Sequence, residues 1–210
     1  MADGILRVDL FVEDSAHEGF GLALIERLGR EEGLRVAVVT RSGRGGKARA
    51  LGELRAFQKG LHAGHLTARV PDIMAVMIDA NDIGWHARRS EVENEIDGEV
   101  FPRSVIGCPD PYVERWLLAD EPSFSSVVGA APRRLGGAPS QEDYKRVLDD
   151  ALSRGSVVAL GGIPDLAPDL IDSMDLFRAG RNCPSLKDFM DGLRAALRDA
   201  GRATLGGTDS

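Results

Sequence analysis

Two apolar runs in this chain end in acids, and those acids are the side chains with most scope for chemistry. Glu13 follows Ile5–Val12 (ILRVDLFV), and Asp79, Asn81 and Asp82 follow Asp72–Ile78 (DIMAVMI). A lone carboxylate at a strand tip is commonly just solvated. Two runs delivering several oxygen ligands to one crevice instead suit a hard cation, Mg²⁺ or Mn²⁺ rather than zinc. Such an ion neutralises phosphate charge and activates water for phosphodiester chemistry. Glu13, Asp79, Asn81 and Asp82 are therefore the expected metal ligands. Glu114, with Pro111 in the first turn of a helix and Asp110 as its cap, reads equally as a capping-box glutamate or as part of the site.

A second group is basic. Residues 41–69 hold seven Lys and Arg against one acid, Glu53, in a protein whose formal charge is −7. Such a zone either steers a polyanion to one face or is an ordinary solvated helix and loop. The Gly-rich turn at 42–46 is not a Walker A loop, because Arg41 and Ala48 stand where that motif needs Gly and Ser or Thr. Arg44, Lys47 and Arg49 are the expected contacts to a nucleic-acid backbone. His17 and His86 flank the acidic tips, as proton carriers or as groups behind the ligands, whereas His62 and His65 read as a helix end. No Gly-x-Ser-x-Gly elbow and no Cys–His pairing signature is present.

Alternating elements must position these groups. Strands are expected at Ile5–Val12, Leu34–Thr40, Asp72–Ile78 and Phe101–Ile106. Helices are expected through Phe20, Leu24 and Leu28 after a Ser15 cap, through Leu51, Leu54, Phe57 and Leu61, and at Trp85–Ile96. Strands that are apolar throughout and alternate with helices predict an α/β fold, a mostly parallel sheet covered on both faces. In such sheets, sites gather at the carboxyl ends of the strands. The expected division is a core over 1–121, a Ser/Gly/Pro-rich loop over 122–140, a helical extension over 141–200 with helices at Gln141–Arg154, 164–178 and 185–200, and a frayed tail over 201–210. Trp116 and Leu117 read as core anchors.

Composition narrows the class. An apolar fraction of 43% with 28% charged residues is that of a globular protein. No uninterrupted apolar run approaches membrane-spanning length, so no membrane partner is expected. The N-terminus lacks the basic and apolar regions of a secretory signal, and two distant cysteines, Cys108 and Cys183, suit a reducing compartment. A cytoplasmic location is the expectation.

The order of motifs resembles a known family. A strand ending in Glu13, then helix, strand, helix, and a strand ending in Asp79-Ala80-Asn81 is similar to the Toprim domain of topoisomerases, primases and old-lysogeny-type nucleases. It is closer to a small standalone Toprim-like branch of prokaryotes, through Val12-Glu13-Asp14-Ser15-Ala16-His17-Glu18, Ile78-Asp79-Ala80-Asn81-Asp82, Pro109-Asp110-Pro111-Tyr112-Val113-Glu114-Arg115-Trp116, and Leu160-Gly161-Gly162-Ile163 followed by Phe189. The resemblance covers roughly residues 5–195 and implies a Toprim-like Rossmannoid fold with a C-terminal helical extension. It implies a Mg²⁺- or Mn²⁺-dependent nuclease acting on DNA, serving defence against phage or plasmids beside a partner ATPase. Glu13 and Asp79 would be catalytic, with Glu18 and Glu114 as ligands of a second ion or as groups orienting water. The alternatives are a non-catalytic subunit that binds the ATPase and a nucleotide phosphotransfer enzyme; a homo-oligomer stays open. Two departures stand out. Glu18 lies five residues after Glu13 rather than four, and Asn81 replaces the second Asp, so its carbonyl brings an oxygen but no charge.

Overall fold

The computed structural model describes residues 4–42, 45–64, 70–157 and 163–206. It is an α/β fold built on a four-stranded, all-parallel sheet: β1 (Ile5–Val12), β2 (Arg35–Ser42), β3 (Ile73–Met77) and β4 (Ser104–Gly107), in the order β2-β1-β3-β4. Side chains alternate along the strands and split the core in two. Leu6, Val8, Leu10 and Val12 of β1 and Ile73, Ala75 and Met77 of β3 face α1 (Ser15–Glu31) and the C-terminal helices. Phe11, Met74, Val76 and Ile106 face the other layer, α2 (Gly46–His62) and α3 (Trp85–Glu93). At Gly21 α1 lies so close to the sheet that a Cβ would come within 2.6 Å of Met77 Sδ.

The C-terminal half is helical: α4 (Val113–Leu117), α5 (Glu121–Val128), α6 (Gln141–Arg154), α7 (Ile163–Ser173), α8 (Leu176–Asn182) and α9 (Pro184–Gly206). Leu148, Leu170, Leu186, Phe189 and Leu193 join the core built on β1 and α1. Trp116 is its largest anchor, packed between Phe20 and Phe189 with its indole N–H donating to Ser185 Oγ at 2.9 Å.

Several local expectations are corrected. Residues 122–140 are not loop throughout: α5 forms because Phe124 and Val128, one turn apart, are both buried, which outweighs the Ser-rich composition. Asp14, not Ser15, caps α1, accepting from the backbone N–H groups of Ala16 and His17. Pro111 precedes α4, and Tyr112 rather than Asp110 holds the cap position. The reason is tertiary: the segment after β4 keeps pairing with the one after β3, Ala80 N–H donating to the Pro109 carbonyl and Asn81 N–H to that of Pro111. The expected helix 164–178 breaks where the Asp175 side chain caps α8. The chain is still helical from Gly201 to Gly206, since Gly201 is buried against Leu34. Among the described residues no helix is long and apolar enough to cross a membrane.

Candidate metal centre

The chain leaves β1 for β2 on one side and β3 for β4 on the other, so β1 and β3, adjacent in the sheet, mark a topological switch point. Their carboxyl ends diverge into the crevice where open α/β sheets hold ligands. Val12 pairs with Met77, and the next residues bring Glu13 and Asp79 to the same edge. The Asp79 backbone N–H donates to Glu13 Oε2 at 3.1 Å.

His17, one turn into α1, lies between two acids. Its Nδ1 is 2.8 Å from Asp14 Oδ1 and its Nε2 is 2.9 Å from Asp79 Oδ1. Burial of the ring opposes protonation, but the two carboxylates outweigh it and push the His17 pKa up to about 10. Burial likewise raises Asp14, yet the imidazole outweighs that and holds it down at about 2. Glu13 is raised, first by its own burial and further by the Asp79 charge, against the pull of His17.

Ligand atoms, one each from Glu13, His17 and Asp79, lie within 4.8 Å of one another. With both nitrogens protonated and donating, His17 has no lone pair for a metal. It acts instead as a clamp, taking Asp79 Oδ1, which also accepts the Val113 N–H at 2.9 Å. That leaves Asp79 Oδ2 and Glu13 Oε1 without a hydrogen-bond partner among the described residues. Three carboxylates and one imidazolium sum to −2, the charge one divalent ion neutralises. A pair of neighbouring carboxylates fits a hard cation such as Mg²⁺, which takes oxygen ligands and is commonly held by one or two carboxylates.

The other expected site residues have different surroundings. Asn81 sits at φ 52°, a left-handed conformation that Asn tolerates better than most residues. Its amide donates to the Asp79 carbonyl at 3.2 Å. Asp82 is exposed in the short 3₁₀ turn Asn81–Ile83 and stands outside the tight group. Glu18 is half-buried on α1 and also outside it. Glu114 is not a capping-box residue. It is 2% exposed, its Oε1 meets Gln141 Nε2 at 3.4 Å and Lys145 Nζ at 3.9 Å of α6, and its Oε2 has no hydrogen-bond partner among the described residues. Burial above all raises its pKa, with the Asp79 charge adding to it.

The basic segment meets acids, most of them from elsewhere in the chain. Arg41 bonds to Asp9, Lys47 lies 3.5 Å from Glu91, Arg49 pairs with Glu53 and Arg55 with Glu95. Arg44 lies outside the described residues, as do His65, Arg69 and most of the 160–163 motif. His62, a helix end as expected, has an acid partner the sequence did not reveal, Asp97 at 2.7 Å. The start of α2 nevertheless adjoins the site, because Gly46 N–H donates to the Glu13 carbonyl at 3.2 Å. Gly45 and Gly46, both at positive φ, allow that turn. Sequence reading missed Arg88, which is 4% exposed: its Nε donates to the Asp79 carbonyl at 2.9 Å and its Nη1 bonds to Glu91. One of two adjacent Arg in a polar helix carries no signal of such a role.

No known family model, curated protein or solved structure matches the chain.

Proposed function

We propose that the protein is a Mg²⁺- or Mn²⁺-dependent nuclease whose ion is held by Glu13 Oε1 and Asp79 Oδ2. The observation that carries this reading is the pair of unpartnered carboxylate oxygens at the β1/β3 switch point, in a cluster whose charge a divalent cation balances. When bound, the ion would supply charge neutralisation at a phosphodiester and a more acidic water. His17 and the Val113 N–H hold Asp79 in one orientation, and Arg88 fixes its backbone carbonyl. Lys47 is half-exposed beside the Glu13 end of the crevice, in a surface ion pair with Glu91 worth at most ~1 kcal/mol. It can exchange that partner for a phosphate, as can Arg49. Glu114, buried and raised in pKa, is suited to hold a proton for a leaving oxygen. DNA as substrate, a partner ATPase, a part in defence against foreign DNA and a cytoplasmic setting follow the Toprim-like resemblance of the motifs.

The test uses the purified chain with plasmid, single-stranded DNA, RNA and mononucleotides, each with Mn²⁺, Mg²⁺ or EDTA. Cleavage of a polynucleotide that stops in EDTA supports the reading. No cleavage of any polymer, together with no Mn²⁺-induced rise in melting temperature, would overturn it.

A further inference from the structure

A groove of about 830 Å³ opens beside the candidate metal centre, bounded by the start of α4, the segment 135–140, α6 and the end of α8. Asp82 lines it, and Val113, the residue after Tyr112, donates its N–H to Asp79 Oδ1 at 2.9 Å, so the groove adjoins the metal centre. Tyr112 is partly exposed on its wall, and the buried Tyr144 ring meets it edge-on at 6.2 Å between centroids, fixing the phenol plane from behind. Polar groups there have mixed signs. Asp82, Asp110 and Glu121 offer carboxylates, and Arg115 offers a guanidinium that is bonded once, to the Asp110 carbonyl at 2.9 Å, and forms no ion pair among the described residues.

We infer that this groove receives an unpaired nucleobase bearing an exocyclic amine, stacked on Tyr112, while the backbone passes over the metal centre toward Lys47. The inference rests on the nuclease reading and names the form of its substrate. Three carboxylates around one cation repel phosphate, so the sugar–phosphate chain belongs on the opposite, α2 side of Glu13, where Lys47 and Arg49 stand. What suits the groove is a flat ring with donors for the carboxylates and a keto oxygen or ring nitrogen for Arg115. Cytosine, guanine and adenine carry both; thymine lacks the amine. A paired base cannot enter, so the strand must be single or locally opened. The volume is ample for one base with its sugar.

The experiment measures binding of labelled (dC)₁₂, (dT)₁₂ and a duplex of equal length to the intact chain in Ca²⁺, by fluorescence anisotropy, alongside Mn²⁺-dependent cleavage of the same molecules. Expected are (dC)₁₂ tighter than (dT)₁₂, the duplex weakest, and Tyr112→Ala weakening (dC)₁₂ by about 10- to 100-fold while Tyr112→Phe binds like wild type. Tyr112 is partly exposed, so neither change should threaten folding. Unchanged binding by Tyr112→Ala, or a duplex bound as tightly as a single strand, overturns the inference; if wild type then still cleaves DNA with Mn²⁺, the nuclease reading survives alone. Tyr112-dependent binding, with no cleavage of any polymer and no Mn²⁺-induced rise in melting temperature, keeps the groove and removes the nuclease. Failure to bind any of the three removes the groove, and the nuclease with it when cleavage and the metal-induced rise are also absent.

Discussion

Asp9 and Asp79 are both acids buried against the central strands, and they are used in opposite ways. Asp9, in the middle of β1, is wholly buried and has each oxygen closed by a cation, Arg7 Nε at 3.0 Å on Oδ1 and Arg41 Nε at 2.9 Å on Oδ2. Arg41 in turn lies 4.5 Å over the Phe57 ring. Asp79, just past the end of β3, has one oxygen in two hydrogen bonds and Glu13 beside it has one oxygen in a single hydrogen bond, and the other oxygen of each has no partner among the described residues. A buried carboxylate whose oxygens are both closed locks two elements together. One left with an open oxygen, next to a second acid, keeps a place for a further cation. The contrast separates scaffold from site within one sheet.

Four substitutions sharpen or break that contrast. Glu13→Gln keeps size and hydrogen bonding but removes the charge a hard cation needs. It should lower Mn²⁺-dependent cleavage by about 10²-fold or more and abolish the Mn²⁺-induced rise in melting temperature. Metal-free stability should be equal or slightly higher, because two crowded acids become one. A metal-induced rise unchanged in the variant would remove Glu13 as a ligand.

Asp9→Asn should do the reverse, with cleavage retained and stability lost. Arg7 and Arg41 are 27% and 25% exposed and can turn to water, so the cost is put below that of a fully buried broken pair, at about 2–3 kcal/mol. In a chain of this length that is a fall of roughly 4–10 °C, readable by calorimetry. A drop in activity without a drop in melting temperature would show that Asp9 belongs to the site after all.

His17→Gln tests the clamp. Loss of the group that orients a ligand should weaken Mn²⁺ binding by about 10- to 100-fold, seen as a shift of the metal titration to higher concentration with the saturating signal intact. Stronger binding would mean that the imidazolium merely competes with the metal.

Glu114→Gln gives a pH signature. The folded pKa lies above its ordinary 4.5, so the folded state holds more protons than the unfolded one once pH exceeds that value, and wild type loses stability as pH rises from 4.5 to the raised pKa. The variant lacks this titration. Its stability relative to wild type should therefore grow from pH 4.5 to 8, measured by urea denaturation; a difference independent of pH would mean that Glu114 is not raised.

Much of this is written locally in the chain. Apolar β-branched runs make strands because their side chains pack on a pleated surface, and acids directly after such runs are delivered to the strand ends; so the parallel α/β sheet and the positions of Glu13 and Asp79 follow from period and polarity alone. What each acid meets depends on elements far apart in sequence. His17 reaches Asp79 across 62 positions, Lys145 of α6 covers Glu114, and Glu91 and Glu95 neutralise cations of α2 that by themselves read as a basic patch. Likewise α5 is helical because Phe124 and Val128 found a core to enter, with Val127 packed against it. Local propensity is a sum over neighbours in the chain, whereas the state of a carboxylate, open or closed, is set by whichever donors the folded layers bring within 3 Å of it, and only the tertiary structure decides that.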